Sequence, residues 1–231
     1  SYFCGGRKED SIFIYELGIG TSLKVSTREV DKILAQYTEP ELADMRMESR
    51  MEDNIQFIIV HLPNETLCLN INIAVELGKD FAWTKLKTDV QGDATYRAIN
   101  GVFDANLGTW IYGDKRDTHI GELDNDICTH YGDLVEWIMY TPFMDLDTFS
   151  VDELEIATIP GHTDVDDATV AFSQTSDGIA YSTEYWMQYG AALNYGQRFI
   201  LRRGTGIVRD WIGFKFRGVT TSRMAFGLMK V

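Results

Sequence analysis

Short runs of β-branched and aromatic residues, each closed by a turn signal, recur along almost the whole chain. This alternation limits what the chain can fold into. SIFIYEL (Ser11 to Leu17), QFIIVHL (Gln56 to Leu62), ETLCLNI (Glu65 to Ile71), VEWIMYTPF, ATVAFSQ, RFILRR, WIGFKFRG and SRMAFGLMKV all read as strands. Pro63-Asn64 separates two of them, and Ala105 to Gly108 separates YRAINGVFD from TWIYGD. Both pairs read as hairpins. MRMESRM, QFIIVHL, ETLCLNI and AWTKLKT form a set of four, the pattern of a propeller blade, and a looser set runs from YRAINGVFD to IGELD. Beyond Asp124 to Gly132 the strands grow longer and more aromatic, as in a sandwich. The expected fold class is all-β: β-propeller-type blades followed by a β-sandwich-like region, with one or two short helices. The expected domains are residues 1–130, a partial propeller of about two blades with a short helix near 38–47, and residues 131–231, the sandwich-like region.

Helix signals are few. Thr38-Glu39-Pro40-Glu41 reads as a capping box with a proline in the first turn, starting a helix that reaches about Met47. REVDKIL (Arg28 to Leu34) reads as a short amphipathic piece with a Ser or Thr cap before it. Everything else reads as β.

Charge is unevenly distributed. The 231 residues carry a net charge of −14, yet residues 196–231 hold eight Lys or Arg against one acid, a net +7, and residues 1–195 a net −21. The acidic body repels DNA, and the basic segment acts only over a Debye length of about 10 Å. That segment, RFILRRGTGIVRDWIGFKFRG (Arg198 to Gly218), reads as a hairpin closing at Gly204-Thr205-Gly206. Ile212, Phe214 and Phe216 share one face of its second strand; Trp211, Gly213, Lys215 and Arg217 share the other. The bases sit opposite most of the aromatics, unlike a nucleic-acid reader. Arg202, Arg203, Lys215 and Arg217 are therefore the candidate subunit interface, meeting an acidic neighbouring protein surface.

Other constellations fall short of chemistry. GHTDVDDA (Gly161 to Ala168) gathers His162, Asp164, Asp166 and Asp167, but without the spacing or distal glutamate of a calcium loop, and reads as a solvated acidic loop. Gly204-Thr205-Gly206 lacks the third glycine and the following helix of a phosphate site. His61, His119, His130 and His162 stand in no metalloprotease motif, and no Ser lies in G-x-S-x-G. Asp177-Gly178 reads as a turn. Cys4, Cys68 and Cys128, odd in number and far apart, read as free thiols of a reducing compartment. No run is long and apolar enough for a membrane helix, and no apolar leader opens the chain. The opening SYFCGG reads as the middle of a strand, so a trimmed or processed piece of a longer chain is expected. The expectation is no catalytic residue, no metal, no cofactor and no membrane.

A set of motifs then resembles a known family. VDKILAQYTEPELA followed by FIIVHLP, WTKLKT (Trp83 to Thr88), Tyr96-Arg97, GDK (Gly113 to Lys115), IGEL (Ile120 to Leu123), TPF (Thr141 to Phe143), TSDGIAY and RDWIGFKFR occur in the order found in the packaged-DNA stabilisation proteins, or tail nozzle and hub proteins, of short-tailed phages. The chain resembles their C-terminal half. The resemblance implies a structural virion protein of the tail, assembled in the host cytoplasm and not an enzyme. It implies a homo-oligomeric ring, a hexamer in such phages, below the portal. It implies as partners the portal adaptor ring, tail needle and tailspike proteins, with packaged DNA passing through without specific readout until ejection. A strongly acidic body suits a channel wall along which DNA slides. Two other classes stay open from the residues themselves: a phage β-protein that binds or cleaves surface glycans, and a DNA binder acting through the basic segment.

Overall fold

The computed structural model describes residues 1–6, 12–90, 92, 94–145, 147–159, 161, 163, 168–202 and 205–230, the last three by backbone alone. The chain divides into two compact units, Ser1–Lys87 with Asp93–Glu122, and Thr88–Gly92 with Leu123–Val231.

The first unit is built from three antiparallel meanders. Strands β1 (Tyr2–Gly5), β2 (Phe13–Leu17) and β3 (Ser22–Lys24) form one. Helices α1 (Arg28–Leu34) and α2 (Glu39–Ala43) follow. Thr27 caps α1 by accepting the Val30 N–H, and Thr38 with Glu41 closes the capping box on α2. The second helix is shorter than its sequence suggests, because β4 (Arg46–Glu52) takes over three residues later. Strands β4, β5 (Ile55–His61), β6 (Thr66–Asn70) and β7 (Trp83–Leu86) make a four-stranded sheet in sequence order, the blade expected from the set of four. Asp53 and Asn54, both in left-handed backbone, join β4 to β5 in a two-residue turn that suits the strand twist.

The stretch after β6 is not all strand. The end of ETLCLNI leaves the strand, and α3 (Ile71–Glu76) begins where the Asn70 side chain accepts the Ile73 N–H. The cap overrides the β-branched composition of that stretch. Strands β8 (Ala98–Asp104), β9 (Thr109–Asp114) and β10 (Ile120–Glu122) form the third meander.

Period-two alternation gives the four-stranded sheet two unlike faces. Ile58, Val60, Leu67 and Leu69 point into an apolar core with Ile14 from β2, Val25 just after β3, and Val30 and Leu34 from α1. Each such buried side chain contributes roughly 1.5–3 kcal/mol. Glu48, Arg50, His61 and Thr66 occupy the opposite face, toward β8 and β9.

The second unit opens with a two-stranded ribbon, β11 (Thr129–His130) and β12 (Asp133–Leu134). Next come β13 (Glu136–Tyr140), β14 (Met144–Asp145), β15 (Phe149–Ser150), β16 (Leu154–Thr158), β17 (Thr169–Thr175) and β18 (Tyr185–Gln188). The chain ends with β19 (Phe199–Leu201), β20 (Ile207–Val208), β21 (Trp211–Val219) and β22 (Phe226–Lys230). One sheet runs β13-β21-β17-β18, with β14 also on β21; a second runs β19-β16-β22. Val170, Phe172, Phe214 and Phe216 from the first pack with Leu154, Ile156, Phe199 and Leu201 from the second in one core. Two sheets closing over one apolar layer make a sandwich.

The basic segment is not a hairpin. β19 pairs with β16, β20 with β15, and β21 with β13, β14 and β17. The two halves of the segment thus lie in different sheets of the sandwich. Apolar alternation in both halves is met better by opposing layers than by one local ribbon.

Candidate functional site

The alternation read along β21 holds. Ile212, Phe214 and Phe216 are buried, and Lys215 and Arg217 lie on the other face. Pairing registers place Ile138, Arg217, Ala171 and Trp186 in one row across that outer face, and Tyr140, Lys215 and Ser173 in the next.

Arg217 occupies the centre of a charge cluster. Its Nε and Nη2 donate to the two carboxylate oxygens of Glu184 at 2.6 and 2.5 Å, and Nη1 donates to Glu136 at 2.8 Å. The guanidinium also lies 5.3 Å from the Trp186 ring centre. Lys215 reaches Glu184 at 3.4 Å and the Tyr181 ring at 5.2 Å. The hydrogen bonds that Arg217 donates to Glu184 and Glu136 raise its own pKa further, and the same bond pulls Glu184 below the usual carboxylate range.

The acids that meet the basic segment therefore come from the chain itself. Arg202 pairs with Glu153 at 3.2 Å and Arg198 with Glu155 at 2.6 Å, so the cross-layer strands carry their own counter-charges. Arg203 lies outside the described residues, as do His162, Asp164, Asp166 and Asp167 of the acidic loop. Among the described residues, no group of three or more His, Cys, Asp or Glu is arranged to hold a metal ion. Among the described residues, no helix is long and apolar enough to cross a membrane. The three cysteines are free thiols, and burial pushes those of Cys4 and Cys68 up.

Asp177 and Gly178 do form a turn. The Asp177 carboxylate accepts the N–H groups of Ile179 and Ala180, and Gly178 takes a φ of 74° that a side chain would resist. The turn belongs to a longer connection between the paired strands β17 and β18.

The first unit holds a polar cluster that motif reading passed over. A bulge between Ile99 and Val102 of β8 turns the N–H groups of Asn100 and Gly101 out of the ladder. The Glu48 carboxylate on β4 accepts both, at 2.6 and 3.2 Å. The buried His61 ring lies beyond it, with Nε2 3.5 Å from Glu48 and Nδ1 3.0 Å from the Lys115 ammonium. An ammonium can only donate, so Nδ1 accepts and the ring proton sits on Nε2, toward Glu48. Burial lowers the Lys115 pKa, against a smaller opposing pull from Glu48. Burial also works against the Glu48 charge, but the hydrogen bonds from His61, Gly101 and Asn100 outweigh it, and its pKa falls. Arg97 donates from Nε to Asp114 at 3.0 Å and closes a fork with Nη2; that hydrogen bond holds the Asp114 pKa at about 2. Only the alternation of charge on β4 and the Tyr96-Arg97 pair hint at this cluster in the sequence, because its members meet across two sheets.

Both arrangements bind strands to one another and present no nucleophile beside a base. Comparison with known proteins fits a structural part. A family model described as "Bacteriophage P22 Gp10, beta-propeller" matches residues 1–128, and one described as "Bacteriophage P22 Gp10, beta-sandwich" matches residues 136–231. The tail hub protein gp10 of Salmonella phage P22 is 30% identical over 209 residues, covering 90% of this chain and 43% of that protein. The chain thus spans less than half the length of the curated relative it matches. With blades followed by a sandwich, and both matched in the same order, the chain belongs to the bacteriophage P22 Gp10 family.

Proposed function

We propose that this chain is part of a phage tail hub, a structural virion protein without catalytic residues or cofactor. The observation that supports this reading is the match to both Gp10 parts, in order, across both compact units. In this reading the protein assembles as a ring, a hexamer, beneath the portal adaptor ring. It contacts the tail needle and tailspikes and extends and helps close the channel through which packaged DNA leaves. Its net charge of −14 keeps DNA from sticking to the channel wall. We retain Arg202 as the subunit contact, because its side chain stays 73% exposed beside Glu153. Lys215 and Arg217 lie on the outer face of the other sheet, where they pair with Glu184 and Glu136 of the chain itself.

Deletion and complementation in the phage test the role. Particles assembled without the full-length protein are expected to lose their packaged DNA, and supplying it in trans restores them. Particles that keep their DNA and infect without it would overturn the assignment. Acids clustered away from the ring's hole in an assembled tail would remove the channel part of the proposal.

A further inference from the structure

A cavity of about 650 Å³ lies at the end of the β13-β21-β17-β18 sheet, between the β17–β18 connection and the residues leading from β20 into β21. Small-molecule sites span about 300–1,000 Å³. Tyr181 enters the lining from the first loop and Trp211, 52% exposed, from the second. Gln174, Ser176, Arg209 and Asp210 also line it, and their side chains make no hydrogen bond or ion pair among the described residues.

The walls are held in place. Asp177 ties down Ile179 and Ala180, and the Thr175 hydroxyl accepts the Gly178 N–H at 2.9 Å. On the other side, the Thr205 hydroxyl accepts the Val151 N–H at 3.1 Å and the Thr205 N–H donates to the Val151 carbonyl at 3.0 Å. Loops fixed in this way lose little freedom when they bind.

The lining chemistry selects the ligand. Arg209 and Asp210 cancel in charge, so neither an anion nor a cation gains from the site as a whole. An amide, a hydroxyl, a guanidinium and a carboxylate offer donors and acceptors together. Two aromatic rings offer faces to weakly polarised C–H groups. A ring carrying alternating hydroxyls and C–H faces meets all of these demands. We infer that this cavity binds a neutral saccharide of one or two rings. Hydrolysis is not part of the proposal: Asp210 is the one carboxylate among the described lining residues, and glycoside cleavage by the usual route needs two. This site rests on its own lining and not on the hub reading.

The test is saturation-transfer NMR and calorimetry on the whole chain with glucose, galactose, mannose, rhamnose, N-acetylglucosamine, lactose and maltose, and with inorganic phosphate as the anionic control. At least one neutral sugar should bind saturably, and backbone shifts should concentrate in residues 174–182 and 205–212. Trp211→Ala should weaken binding roughly tenfold, the scale of one aromatic contact. Arg209→Ala, at an exposed position, should weaken it with the fold intact. No binding by any of these sugars at about 10 mM, well above a millimolar Kd, would overturn the proposal. So would a preference for phosphate, or binding that both variants leave unchanged.

Discussion

Arg217 and Glu184 meet through two parallel hydrogen bonds although they stand 33 residues apart, and Glu136, 81 residues from Arg217, takes the remaining Nη1. One guanidinium thereby ties β21 to the edge strand β13 and to the segment entering β18. A lysine cannot reproduce that fork.

Removing Arg217 takes from Glu136, whose side chain is 8% exposed, the cation it holds at 2.8 Å. Arg217→Ala is expected to destabilise the second unit by about 2–3 kcal/mol, below the full cost of breaking a buried pair because the arginine is itself 27% exposed. Arg217→Lys should recover part of that loss. Hydrogen exchange of the β21 amides under increasing urea measures both.

Arg202 should behave differently. Its pair with Glu153 is solvent-exposed, worth about 0–1 kcal/mol. Arg202→Glu is expected to leave the melting temperature of the chain nearly unchanged and to reduce incorporation of the full-length protein into tails. Normal incorporation would remove Arg202 from the subunit interface.

Glu48 satisfies two N–H groups that the β8 bulge leaves without ladder partners. Glu48→Ala is expected to cost about 1 kcal/mol, the net worth of such hydrogen bonds, because Asn100 is exposed and Gly101 only half-buried. The readout is local: the Asn100 and Gly101 amides should exchange far faster, and those of β5 should change little.

Gly101 lies against the ring of Tyr112, at a place where a Cβ would collide with the ring carbons. Gly101→Ala is therefore expected to destabilise by about 1–3 kcal/mol through overpacking. In a Tyr112→Ala background the same change should cost much less. The coupling in a double-mutant cycle measures the contact directly.

Acid should act through Asp114. Its folded pKa, about 2, lies below the ordinary aspartate value of about 3.9, so the unfolded chain takes up the proton first as pH falls. The stabilisation is complete above about pH 4 and disappears toward pH 2. Asp114→Asn should flatten the stability profile in that window, read by urea unfolding at stepped pH.

Local rules made much of this fold legible. The strand set from Arg46 to Leu86, the caps at Thr27 and Thr38, and the buried Ile212, Phe214 and Phe216 follow from alternation and turn chemistry within a few residues. α3 was hidden because Ile71 and Ile73 look like strand, and only the Asn70 cap says otherwise. The partners of β19 and β21 were hidden for another reason. Glu136, Glu184, Glu153 and Glu155 come from distant segments, and long-range pairing leaves no mark at the positions it joins. The bulge that recruits Glu48 depends on the same kind of meeting.

The four-stranded sheet with one oily and one charged face has an implication for how blades can be ordered. Oil accepts any oil, so the face carrying Ile58, Val60, Leu67 and Leu69 discriminates weakly between neighbours. The face carrying Glu48 and His61 tolerates only a sheet that offers stray amides and an ammonium at matching heights, since any other would bury those groups unanswered. A duplicated or transposed blade would be admitted on one side and refused on the other. The sheet works as a one-way key, and its seating order is written on the side that looks least suited to a protein interior.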